Sequence, residues 1–160
     1  MIEVELDHAR LQDALRRVEW AVGDTAPLMR AVAVELGSIT EENLEAEGQS
    51  GIDWPALSEV TTSIREAAGT WPGQMLQVSA AGLAASVTTH ADDTSALVGS
   101  NKPYAAMMHF GGEQAEFPNL WGDIPARPYL PMDADGNLQP EAEESILDLA
   151  LSHLERAARL

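Results

Sequence analysis

Four histidines, His8, His90, His109 and His153, are the side chains of this sequence that ordinarily titrate near neutrality, and their spacing limits what they can do. No two form a His-x-x-x-His pair, so no helix face offers two imidazoles to a zinc ion. There is no cysteine, which removes thiolate nucleophiles, disulfides and Cys-based zinc or iron–sulfur sites. A Gly-x-Ser-x-Gly elbow, a P-loop and a glycine-rich dinucleotide turn are all missing. His109 is the imidazole with a defined setting. It ends a predicted helix just before Gly111-Gly112, where it can cap carbonyls, line a subunit contact or act as an acid or base. Acid–base work needs a paired carboxylate or nucleophile, and no spacing supplies one. A packing or capping role is the expectation, and a small acidic hydrolase built on His109 is the enzymatic alternative.

Asp133-Ala-Asp-Gly-Asn137 invites a calcium reading, with Glu144 at the twelfth position counted from Asp133. An EF-hand loop needs glycine at its sixth position, where this chain has Leu138. It also needs an entering helix, where this chain has the proline-rich stretch from Arg127 to Pro131. An exposed Asp/Gly/Asn turn accounts for the same residues. The cluster Glu41, Glu42, Glu45, Glu47 reads as a solvated helix face. No metal and no cofactor are expected. Arg127, isolated between Ala126 and Pro128, is expected to pair with a carboxylate, within the chain or across a subunit boundary.

Charge sets the next limit. With 26 Asp and Glu against 9 Lys and Arg, the formal net charge is −17 at pH 7. A protein that binds phosphates gains affinity by neutralising them, so sequence-specific nucleic-acid binding is not expected. The acidity reads as colloidal repulsion, as a wall past which DNA slides without sticking, or as a DNA-mimicking inhibitor that binds a basic partner. The longest uncharged run, 70–91, is broken by Pro72, Gly73, Gln74, Gln77 and Gly82, so no membrane association is expected. The first residues lack the basic and apolar regions of an export signal, and action in a cytoplasm is the expectation.

At 160 residues a single domain, 1–160, is expected, with a core of ordinary size. Ile2, Val4 and Leu6 alternate with acidic residues in the pattern of an edge strand. Asp7 is set to cap a helix with the apolar stripe Leu11, Leu15, Val18, Val22, ended by Gly23. Pro27 opens a second helix, striped by Leu28, Val32, Leu36 and Ile39 and running toward Glu47. From Gly48 to Gly73 a long, partly irregular connection is predicted, with a short helix over 58–68. A brief helix over 75–81 and a β-hairpin over 85–100 follow. A short helix over 104–110 stops at the glycine pair. Residues 113–125 form a loop, and the prolines extend residues 126–131 at an edge or bulge. The last helix, 141–160, carries Ile146, Leu147, Ala150, Leu151, Leu154 and Ala158 on one stripe, with Arg156 and Arg159 near its end.

Several segments occur in a recognisable order. Trp54-Pro-Ala-Leu-Ser58 is followed by Thr61 and Arg65, then by Met75-Leu76, Gly82-Leu-Ala-Ala-Ser-Val87 and Val98-Gly-Ser100. Tyr104-Ala105, His109-Phe-Gly111 and Ile124-Pro-Ala-Arg-Pro-Tyr-Leu130 complete the series. Over residues 25–150 this series resembles the phage virion morphogenesis, or tail-completion, family of Mu-like and related tailed phages. The chain departs from the family pattern at Ser79-Ala-Ala-Gly-Leu83, in its scarcity of basic residues and in the loop 113–122. The resemblance implies an α+β fold, with a small twisted, mostly antiparallel sheet packed with helices, as in a tail-terminator-like ring subunit. It implies a structural protein and no enzyme, located in the tail or neck of the virion and assembled in the host cytoplasm. The implied partners are further copies of itself in a ring, expected as a hexamer, together with the tail tube protein and the head connector or neck proteins. DNA would pass through the ring. A neck or stopper component is the neighbouring alternative. Trp54, Trp71, Tyr104, His109, Trp121, Arg127 and Tyr129 are the candidate subunit or partner contacts, since aromatics and Arg are enriched at interface cores. Closing the domain's own core is the competing role for the same side chains.

Overall fold

The computed structural model describes residues 8–120 and 122–159, so the predicted strand at Ile2 to Leu6, the Asp7 cap and Trp121 lie outside the described residues. The fold is α+β. Helix α1 (His8–Gly23) leads into α2 (Ala26–Ala46), which carries Pro27 in its first turn as predicted. Thr25 does not cap α2 through its side chain. Its hydroxyl donates to the Asp93 carbonyl instead, tying the start of the helix to a distant turn. Val32, Leu36 and Ile39 are buried, so the helical stripe read from the sequence is the face that packs.

At the other end of α2, Glu47 takes the left-handed conformation, and the chain reverses into strands β1 (Gly48–Gln49) and β2 (Ile52–Asp53). Ser50 and Gly51, at the turn, both have positive φ, the condition of a type I′ hairpin. This hairpin was not predicted. The Ser50-Gly51 dipeptide between two short runs was its signal, outweighed by the high Gly, Ser, Thr and Pro content of 48–73. Helix α3 (Glu59–Ala67) falls where expected, and the Ser58 hydroxyl accepts the Thr61 N–H at 3.2 Å as its N-cap.

The helix predicted over 75–81 does not form; the segment is a run of turns, followed by one 3₁₀ turn at Ala84–Ser86. Leu76 has φ +59°, which a right-handed helix cannot contain. Strands β3 (Val87–Ala91) and β4 (Ala96–Ser100) pair antiparallel, from Val87 opposite Ser100 to Ala91 opposite Ala96. Asp92 shapes their turn by accepting the N–H groups of Thr94 and Ser95. Among the described residues the β structure is thus two separate two-stranded antiparallel ribbons, the second lying on α2. Gly37 lets them approach, since a Cβ there would stand 3.0 Å from the Thr89 methyl.

Helix α4 (Ala105–Phe110) ends at Gly111 with φ +73°, again as predicted. Helix α5 (Pro140–Arg159) closes the chain. Its start meets the end of α2, where Asn43 donates to Gln139 at 2.9 Å. Farther along, His153 Nε2 lies 3.2 Å from the carbonyl of Ala21 in α1. The core cluster of Leu44, Trp54, Leu83, Ala105 and Tyr129 gathers α2, the connection after β2, the 3₁₀ turn, α4 and the proline-rich segment.

Candidate functional site

Residues 126–131, expected to be extended, belong to no regular element and bend at Leu130 and Pro131, and since Pro128 and Pro131 have no N–H to donate, this strap cannot enter a regular ladder. It crosses the core all the same, with Tyr129 only 1% exposed. Buried backbone groups need partners, and here side chains supply most of them. Trp54 Nε1 donates to the Pro128 carbonyl at 3.0 Å, and Asn43 Nδ2 to the Tyr129 carbonyl at 3.3 Å. Gln49 Nε2 reaches the carbonyls of Leu130 at 2.9 Å and Met132 at 3.0 Å. Arg127 N–H donates to the Met108 carbonyl at 2.9 Å.

His109 takes the remaining donors. Its Nδ1 accepts the N–H of Tyr129 at 3.2 Å and that of Leu130 at 3.4 Å. The hydrogen-bond pattern assigns the neutral tautomer with the proton on Nε2. Nε2 is buried and has no hydrogen-bond partner. Burial pushes the imidazole below its ordinary pKa; backbone groups of Asp133 and Met132 pull the other way without reaching hydrogen-bond geometry on Nε2. The ring meets Phe110 and Tyr129 edge-on, at centroid distances of 4.6 and 5.3 Å. The lone pair that a general base needs is therefore already engaged by backbone donors, and the packing role expected of His109 is the one its contacts describe.

Arg127 does not meet a carboxylate within the described residues. Its Nε and Nη2 donate to the Pro55 carbonyl at 3.1 and 2.9 Å, and Nη2 also to the Ala56 carbonyl at 3.1 Å. A planar fork suits two neighbouring carbonyls as well as it suits a carboxylate, and the chain beside Trp54 presents them first. Arg65, buried in α3, repeats the device. Its Nη2 donates to the carbonyls of Thr70 and Gln74 at 3.0 and 3.1 Å, and the guanidinium lies 5.2 Å from the centroid of the Trp71 ring.

Four of the candidate contact residues, Trp54, His109, Arg127 and Tyr129, are thus drawn together inside the fold, while Trp71 and Tyr104 keep 37% and 45% of their surface exposed. Between α3, the 76–83 turns, α4 and residues 123–127 lies a groove of about 520 Å³. Leu57, Leu76, Leu83, Met108 and Ile124 make it mainly apolar, and Tyr104, Asp123, Arg65 and Arg127 also line it. No group of three or more His, Asp or Glu among the described residues is placed to hold a metal ion. Asp133 instead accepts the N–H groups of Asp135 and Asn137 and the Asn137 side chain, as the predicted turn requires. No helix among the described residues is long and apolar enough to cross a membrane.

Asn43, Gln49, Gln139 and Arg65 were missed as structural residues. Asn43 carried a signal, because it continues the stripe Leu36, Ile39 by one helical turn and a polar residue there must be bonded when buried. Gln49 and Gln139 carried none.

Residues 6–155 match the phage virion morphogenesis family. The sequence is 35% identical over 149 residues to Mu-like prophage FluMu G protein 2 of Haemophilus influenzae, covering 92% of each chain. It is 34% identical over 160 residues to a protein of Escherichia phage Mu named, provisionally, capsid assembly protein G, covering 99% of this chain and 97% of that one. No solved structure matches the chain.

Proposed function

The chain belongs to the phage virion morphogenesis family, and from that premise we propose that it is the subunit of a tail-completion ring, which ends tail-tube polymerisation and joins the tail to the head connector. A structural part in phage assembly is what the family description and the name of the phage Mu relative support. The observation that carries the proposal to this chain is the match over 6–155, which spans the whole strap and groove. The geometry agrees: His109, Arg65 and Arg127 are engaged by backbone groups, and the groove offers apolar contact area. The partners in this reading are further copies of the chain in a hexameric ring, the tail tube protein and the connector or neck proteins. DNA passes through the ring, past acidic walls that repel its phosphates. The site of action is the tail or neck of the virion.

A neck or stopper component is the second reading, favoured by the capsid-assembly name of the phage Mu relative. A hydrolase would need a carboxylate on the His109 ring, and the ring's contacts are two backbone N–H groups and two aromatic edges.

The test is the solution mass by light scattering over a concentration series, with negative-stain images, alone and after mixing with tail tubes or with heads. Closed hexamers that cap tail tubes are expected. Binding to heads with no effect on tubes would shift the assignment to the neck. A strict monomer that binds neither would overturn the proposal.

A further inference from the structure

Among the described residues, the β3–β4 ribbon has open backbone along both edges. The Asp92 N–H donates to the Ser95 carbonyl at 3.0 Å, and the pairing runs without a bulge from Ala91 opposite Ala96 to Val87 opposite Ser100. Antiparallel pairs alternate between bonded and non-bonded, so His90 with Leu97 and Thr88 with Gly99 carry the ladder. The N–H and C=O groups of Thr89 and Ala91 on β3, and of Ala96, Val98 and Ser100 on β4, therefore point away from the partner strand. None of these groups bonds to another described residue; the Val87 N–H alone is taken up, by the Ala84 carbonyl.

An open edge is a template for a further strand, and proteins blunt it with charge, proline or a bulge. The ten residues of β3 and β4 have none of the three, in a chain with 26 Asp and Glu. The β3 side also has room. A groove of about 410 Å³ lies between β3 and α2, lined by Val87 and Thr89 of the strand and by Val34, Ser38 and Glu41 of the helix. Val34 is 70% exposed. A strand laid along β3 would bond the free backbone groups and cover Val34 in one step.

The matching strand is present in the chain itself. The outer edge of β4 has the same length, carries no charge and offers three N–H and three C=O groups without partners. Because β3 and β4 are antiparallel, a neighbour standing in the same sense sets its β4 antiparallel to this β3, and the pairing inside the ribbon repeats between copies. Two different edges then meet, which is the contact a closed ring requires, whereas β3 on β3 would close a two-fold dimer. We propose that the β3 edge of one copy pairs with the β4 edge of the next, over Val34, so that the ribbons join into one sheet around the assembly. This rests on the ring reading above and assigns its interface.

The test uses the full chain. Val34→Glu changes an exposed side chain, and Thr89→Pro removes an outward N–H without removing a ladder bond, so unaltered circular dichroism is expected of both. Each should weaken self-association by about ten-fold or more. Amide exchange reads the edges directly: the N–H groups of Thr89, Ala91, Ala96, Val98 and Ser100 should exchange slowly in the parent assembly and fast in the Val34→Glu chain. Normal association by Val34→Glu, or an assembly whose edge amides still exchange fast, would overturn the inference and leave the ring reading standing. Edge amides that stay slow in a monomeric Val34→Glu chain would also overturn it, because the chain would then cover its own edges. Closed dimers in place of rings, or no association by the parent chain, would overturn both.

Discussion

His109 and Tyr129 are joined twice: the imidazole Nδ1 accepts the Tyr129 backbone N–H at 3.2 Å, and the two rings meet edge-on with centroids 5.3 Å apart. One side chain thereby replaces part of a strand ladder and fills part of the core. The relationship exists because prolines on both sides of Tyr129 keep the strap out of a sheet, so its remaining N–H groups need an acceptor from elsewhere.

His109→Ala should destabilise the chain by about 3 kcal/mol, from the void and from two N–H groups left without an acceptor. His109→Asn should lose less, because Oδ1 can accept near the position of Nδ1. The folded pKa of His109 lies below its unfolded value of 6.5. Its contribution is therefore complete above that value and declines as pH falls from about 6.5 toward the folded pKa. Urea midpoints across pH 5 to 8 check both points, and the Asn variant should lose the part of the pH dependence due to this group.

Arg127 holds the strap to Pro55 and Ala56, so Arg127→Met should cost about 1–3 kcal/mol by removing the charge-assisted hydrogen bonds that the buried guanidinium makes to those carbonyls. Arg127→Lys keeps the charge but cannot span both carbonyls with a planar fork, and should recover less than half of that loss. Chemical denaturation with tryptophan emission as readout suits this test, because Trp54 bonds the adjacent Pro128.

Gly111→Ala and Gly51→Ala should differ sharply although both glycines have positive φ, +73° and +75°. A Cβ on Gly111 would stand 2.7 Å from both Ala126 N and Ile124 O, which are backbone atoms that cannot turn aside. On Gly51 it would meet nothing within 4 Å. The Gly51 variant should lose only about 1 kcal/mol from the left-handed conformation. The Gly111 variant should fail to fold or melt many degrees lower. Thermal scans by circular dichroism distinguish them.

Millimolar calcium should leave the melting temperature unchanged, because the Asp133 carboxylate is occupied by its own turn. Those hydrogen bonds, the Asn137 side chain foremost, hold its pKa below the ordinary value, and the Thr94 N–H foremost brings Asp92 to about 2. Depressed carboxylates stabilise the fold above their unfolded pKa, so this contribution should be intact above about pH 4 and disappear as pH falls toward 2. Asp133→Ala should lower the melting temperature at pH 7 and have a much smaller effect at pH 2.

Local physics made much of this legible in the sequence. Helices α2, α3, α4 and α5 fall where apolar spacing, Ser58, Pro27 and the glycine pair set them, and the β3–β4 hairpin and the Asp133 turn follow from β-branched runs and Asx chemistry. The order of motifs carried the family. Partners distant in sequence were not legible. Arg127 was expected to find a carboxylate and found the carbonyls of Pro55 and Ala56 instead, because folding places those carbonyls within reach and no local pattern records it. The segment 75–81 did not become a helix, since Leu76 turns to positive φ while its neighbours pack against the core. The stripe on α1 was read correctly as apolar, and only the tertiary structure decided that it stays exposed. Periodicity reports that a face prefers burial, but what covers it depends on which surfaces come together in space.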